Sequence, residues 1–263
     1  MWNPGPDLTD VVIHNTIIVM SITDSESQSQ PSSAPGGRVL LIGASRGLGL
    51  ALAREWAGAG WQVVATVRGS GRTQLHDLAD SSGGRIEIET VDITEPEQIA
   101  ALHTRLAGRM FDLLFVNAGV TNQPEGTVAE TSTEEFTRVM VTNALSPLRV
   151  VETLQDHVEA AGTIAVMSSG QGSVTNNTRG GHEVYRGSKA ALNTFMRSYA
   201  ARHGDEPRTL VLMAPGWVRT ELGGPGAVLS IDESIPNLVR TLDGLRGEAG
   251  LHYVDYLGRT VAW

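Results

Sequence analysis

"RVLLIGASRGLGLALAREWAGAG", residues 38–60, decides the fold. Arg38 is followed by an unbroken apolar run that closes on Gly43, the pattern of a strand buried on both faces. From Gly47 the apolar residues recur at helical spacing, with a glycine stop at Gly60. Between the two lie Gly43, Gly47 and Gly49, spaced G-x-x-x-G-x-G. A tight glycine turn lets the backbone approach a pyrophosphate, and the N-terminus of the following helix favours the anion. Such a turn is also an ordinary strand-to-helix connection. The strand before it and the helix after it point to dinucleotide binding.

The alternation continues along the chain. Strand patterns occupy 61–67, 85–91, 111–119, 162–169 and 208–216, with a short last one at 251–256. Helical patterns occupy 95–108, a long stretch opened by the capping-box pair Ser132 and Glu135, then 183–204 and 231–245. Strands alternating with helices predict a single doubly wound parallel sheet with helices on both faces, an α/β domain of Rossmann type over 37–263.

The net charge of −9 argues against nucleic acid or an anionic membrane as partner. There is no cysteine, which excludes disulfides, thiolate metal sites and a cysteine nucleophile, and a cytoplasmic location is expected. The histidines show no paired ligand spacing, so no metal is expected. The apolar run "VVIHNTIIVM" (11–20) is too short to span a bilayer and is broken by His14 and Asn15. No Lys or Arg precedes Arg38, so the basic start of a signal peptide is missing. With the Ser/Gln/Pro/Gly-rich stretch after it, this makes 1–36 an expected disordered leader, with Met20 as an alternative start.

"YRGSK" (185–189) holds the only lysine; the other basic residues among the 20 Lys+Arg are all arginine. Residues four apart on a helix share a face, so Tyr185 and Lys189 can enter one cleft. A phenol ordinarily titrates near pH 10. An ammonium about 4 Å away, at an effective dielectric near 20, favours the phenolate by about 4 kcal/mol before desolvation. The expectation is a tyrosine brought nearer working pH as a general acid/base, by a lysine that can itself pass on a proton. Pro147 has no N–H, so the carbonyl of Asn143 loses its helical donor.

An NAD site places an acid about twenty residues past the glycines. Arg68 stands there instead, and Arg46 lies within the turn. Two guanidinium groups suit a 2′-phosphate, so NADP(H) is expected over NAD(H).

"GASRGLG", "NAG" (117–119), Ser169, "YRGSK" and "PGWVRT" (215–220), in that order, resemble the short-chain dehydrogenase/reductase family over about 38–263. "SSGQGSV", "YRGSKAALN" and "GRTVAW" resemble its sniffer-type carbonyl reductase and C-factor branch. The resemblance implies cofactor contacts from Gly43, Ser45, Arg46, Gly47, Leu48, Gly49 and Arg68. It implies Asp92 and Ile93 beside the adenine, and Asn117, Ala118 and Gly119 on the ribose side. Pro215, Gly216, Val218 and Thr220 would approach the nicotinamide and pyrophosphate. Tyr185 and Lys189 would touch cofactor as well as substrate.

The implied catalytic set is Ser169, Tyr185, Lys189 and Asn143, the last holding a water through its carbonyl. Ser169 precedes Tyr185 by sixteen residues, longer than the usual family spacing, which leaves Ser173 as an alternative. Residues 170–182 and "ELGGPGAVLS" (221–230) would build the pocket, the latter as a lid. The implied activity interconverts a small-molecule carbonyl and alcohol in a homodimer or homotetramer. The alternatives are a cofactor-bound signalling protein of the C-factor type and an NAD-linked alcohol dehydrogenase.

Overall fold

The computed structural model describes residues 36–122 and 126–263, so the leader read at 1–36 lies, but for Gly36, outside the described residues. Seven strands form one sheet: β1 (Arg38–Ile42), β2 (Gln62–Val67), β3 (Ile86–Thr90), β4 (Phe111–Val116), β5 (Val158–Met167), β6 (Thr209–Ala214) and β7 (Gly250–Asp255). Their order is β3-β2-β1-β4-β5-β6-β7, and every neighbouring pair is parallel. The expected doubly wound Rossmann fold is therefore present. Leu40, Ile42, Leu114, Val116, Ile164 and Val166 face one side; Val39, Leu41, Leu113, Phe115 and Ala165 face the other. Both sets are buried, which is why these strands read as continuous apolar runs.

One side is covered by α3 (Pro96–Arg105), α5 (Ser146–Leu154) and α6 (Glu183–Arg202), through Ile99, Leu102, Val150, Leu192 and Met196. The other is covered by α1 (Gly47–Gly58) and α7 (Ile231–Leu245), through Leu52, Trp56, Leu238 and Leu242.

Four features depart from the sequence pattern. A short helix, α2 (Gln74–Ser81), stands where no element was expected. Its first turn is closed by His76 Nδ1, which accepts from Thr73 N–H at 3.0 Å, where a capping box ordinarily has Glu or Gln. β4 stops at Val116, so Asn117–Gly119 is a loop and not the end of a strand. β5 begins earlier than expected, at Val158, and ends at Met167, which puts Ser168 and Ser169 in the loop beyond it. The long helix after Ser132 is divided into α4 (Thr133–Met140), a π-helical turn (Val141–Leu145) and α5. Pro147 supplies the local cause, since it cannot donate the α-helical bond to residue 143.

Candidate active site

The parallel sheet carries the ends of β1, β4, β5 and β6 to one edge, so Gly43, Asn117, Ser168 and Pro215 begin loops on the same rim. The chain order reverses between β1 and β4, the switch point at which such sheets open a crevice. The crevice is closely built. Asn117 Nδ2 donates to Gly43 O at 2.7 Å, and Gly43 N–H donates to Thr66 Oγ1 at 2.9 Å. A Cβ on Gly43 would lie 2.9 Å from the Ala118 methyl, and one on Gly49 would lie 2.1 Å from Gly43 O. Gly47 adopts φ +57°, the left-handed region that disfavours a side chain. At the N-terminus of α1 there is no side-chain cap and no acidic residue in the first turn. Bare backbone N–H groups and a glycine cradle fit a pyrophosphate.

The two arginines differ. Arg46, in the turn, is paired with Glu221 at 2.8 Å, and both side chains are exposed. Arg68 is exposed just past β2 and has no ion pair among the described residues. Asp92 Oδ1 accepts from Thr94 N–H and Thr94 Oγ–H, fixing the loop after β3, and Ile93 beside it is buried.

Ser169 and Tyr185 meet. The Ser169 hydroxyl stands near enough to the Tyr185 phenol to favour its ionised form, and it accepts from Gln171 N–H at 3.1 Å. Ser173 is committed elsewhere, donating to Trp263 O at 3.4 Å and accepting from Asn176 N–H at 3.0 Å. Lys189 is 3% exposed. Its Nζ donates to Met167 O at 2.8 Å and lies 6.0 Å from the centroid of the Tyr185 ring. Asn143 is fully buried in the π-helical turn. Its Oδ1 accepts from Val120 N–H, and its Nδ2 donates to Val120 O and Ser188 Oγ, so the side chain is consumed in joining α6 to the loop after β4.

The expected effect of Lys189 on Tyr185 needs correction. Among the protein's own groups burial dominates: it pushes the Tyr185 phenol up to about 12, against a smaller lowering by the neighbouring Ser169 hydroxyl. Burial also pushes Lys189 down to about 8. Both groups are held toward their neutral forms.

On the far side, Pro215 O accepts from Ser234 Oγ at 2.7 Å, and Gly216 has φ +83° against Leu229 and Tyr256. Buried Val218 bridges to Leu229, and Thr220 Oγ1 accepts from Gly223 N–H at 3.0 Å. Trp217 Nε1 donates to Gly223 O at 2.8 Å. The 216–230 segment is thus folded upon itself by hydrogen bonds. His182, at the mouth, has φ 49°, the one non-glycine residue with positive φ among the described residues.

Three residues escape the sequence reading. Thr66 holds the glycine turn. Asn193 accepts from Ser168 Oγ at 2.6 Å and donates to Gly172 O at 3.2 Å. Its place four residues after Lys189 is a signal that could have revealed it. Tyr253 donates to Ser169 O at 2.6 Å, and in sequence it is indistinguishable from a core aromatic.

A profile of the short chain dehydrogenase family matches residues 38–226. The chain is a short-chain dehydrogenase/reductase. Its similarity to a short-chain dehydrogenase/reductase from Burkholderia multivorans, solved with bound NADP, is 61% identity with a TM-score of 0.86, covering 87% of this chain and 100% of that one. The carbonyl reductase Sniffer of Drosophila melanogaster superposes with a TM-score of 0.78 at 26% identity, covering 88% of this chain and 100% of that chain. C-signal of Myxococcus xanthus is 36% identical over 165 residues, which is 62% of this chain and 99% of the relative. This short-chain dehydrogenase/reductase thus belongs with the Sniffer and C-signal branch of an oxidoreductase family. No helix among its described residues is long and apolar enough to cross a membrane.

Proposed function

We propose that the chain interconverts a small-molecule carbonyl and its alcohol with NADP(H) as the hydride carrier. The observation that carries this reading is the convergence of the Ser169 hydroxyl, the Tyr185 phenol and buried Lys189 at the sheet edge that bears the glycine turn. A bound nicotinamide would supply or accept the hydride at the substrate carbon. Tyr185 gives its phenolic proton to the carbonyl oxygen as that oxygen gains charge. Ser169 donates a hydrogen bond to the same oxygen and holds the developing alkoxide. Hydride to carbon and proton to oxygen complete the alcohol.

Lys189 binds with the donors that Met167 O leaves over. Its lowered pKa of about 8 lets Nζ return a proton to the phenolate near neutral pH. Asn143, with its side chain fixed, keeps a backbone carbonyl for a water behind the lysine. NADP(H) is favoured by the exposed Arg68, without an ion pair among the described residues, by the absence of an acid in its place, and by the NADP held by the Burkholderia relative. The likeness to C-signal supports a second reading, in which the fold serves signalling. An assay against a panel of aldehydes, ketones and quinones with NADPH and NADH tests the proposal. Substrate-dependent NADPH oxidation is expected, and its absence across the panel counts for the second reading.

A further inference from the structure

Ser169 sits on a short 3-10 turn, Gly170–Gly172, and that turn is braced from below by groups with no part in the proposed chemistry. Ser169 O accepts twice, from Gly172 N–H at 2.8 Å and from the Tyr253 hydroxyl at 2.6 Å. Asn193 ties the turn to α6, taking the Ser168 hydroxyl at one end and giving to Gly172 O at the other. Gly172 lies so flat on that helix that a Cβ there would be 2.8 Å from Asn193 Nδ2 and 3.0 Å from Lys189 Cβ. Tyr253, 3% exposed in β7, is the one hydrogen-bond donor to the Ser169 carbonyl from outside the turn among the described residues.

Tyr253 is itself fixed. Its backbone O accepts from Val261 N–H at 2.8 Å, and its ring packs against Trp263 with centroids 5.4 Å apart. Trp263 in turn lies under the Arg197 guanidinium at 4.7 Å, and its O accepts from Thr175 N–H at 2.9 Å. The last strand and the segment after it therefore hold the loop that carries Ser169 at Ser169, Ser173 and Thr175.

We propose that Tyr253 is a positioning residue: its hydroxyl, bonded to the Ser169 carbonyl, holds the Ser169 side chain in line with the Tyr185 phenol. This rests on the reading of Ser169 as the group that holds the substrate oxygen. A hydroxyl bonded to a main-chain oxygen sets the rotation of the peptide before Gly170, and with it the place of Ser169 Cβ. A displacement of about 1 Å at such a group can cost about 100-fold in rate.

The test uses the full chain in four forms: wild type, Tyr253→Phe, Ser169→Ala and the double variant. Reduction of 4-nitrobenzaldehyde by NADPH is followed with KM for NADPH, and hydrogen exchange of 168–176 is read in the same proteins. Tyr253→Phe is expected to lower kcat about 10- to 100-fold with KM for NADPH unchanged, and to speed exchange in 170–175 but not in α6. Added to Ser169→Ala it is expected to change the rate no further, because its effect passes through Ser169. An equal loss in both backgrounds, or wild-type exchange in Tyr253→Phe, overturns the proposal. Wild-type turnover by Ser169→Ala would instead overturn the role given to Ser169, and exchange would still decide whether Tyr253 holds the turn.

Discussion

Lys189 Nζ lies over the ring of Tyr185, 6.0 Å from its centroid, while its hydrogen bond goes to Met167 O and not to the phenol. The pair is a cation beside an aromatic face, with both partners pushed toward neutrality by burial. That arrangement has a measurable consequence for stability. Lys189 falls from 10.5 to about 8 on folding, so between these values the unfolded chain binds more protons and stability rises with pH. Tyr185 rises from 10.0 to about 12, so above pH 10 the native chain holds the proton longer and stability falls.

Replacing Lys189 by Met isolates the first effect. The variant lacks a buried charge whose cost near pH 7.5 is on the order of 3 kcal/mol. Urea unfolding from pH 7.5 to 10.5 should show the wild type gaining on Lys189→Met by up to about that amount. Parallel profiles would mean that Lys189 is not strained toward its neutral form.

Arg68 and Arg46 differ in what they already hold. Arg46 is already paired with Glu221, whereas Arg68 has no ion pair among the described residues. Arg68→Asp should therefore shift the ratio of kcat/KM for NADPH over NADH by about 10- to 100-fold toward NADH, the worth of a charge-assisted hydrogen bond. The two cofactor titrations read this directly, and an unchanged ratio would assign phosphate recognition elsewhere.

Gly49 tests the cradle. A methyl there would stand 2.1 Å from Gly43 O, a main-chain atom that cannot swing aside. Gly49→Ala is expected to destabilise the protein by about 1–3 kcal/mol and weaken NADPH binding at least about tenfold, because the turn must open. Calorimetry and fluorescence titration check the two halves. Binding at wild-type strength would show that the turn does not hold the pyrophosphate.

What the sequence made legible follows from locality. "RVLLI", "FDLLFV" and "TLVLMA" are apolar at nearly every position because the sheet is covered on both faces, so the central strands could be read. The glycine turn and the Tyr185–Lys189 spacing are local too. The helix α2 was hidden because His76 does the work of the usual Glu, and only Leu75 in it is buried. The sign of the shift at Tyr185 was not legible, since the i,i+4 spacing shows the lysine beside it but not the burial that outweighs every other cause. Tyr253 itself lies 84 residues from the carbonyl it holds, and no spacing rule spans that separation.

Tyr185→Phe removes one hydroxyl and leaves the ring beside Lys189. The measurement that bears most directly on the proposed chemistry is its NADPH-dependent carbonyl reduction rate beside the wild type's, with NADPH affinity read in parallel. The account predicts unchanged affinity and a rate lower by about 10²- to 10⁴-fold, the range for loss of a general acid. A rate within twofold of wild type would contradict it.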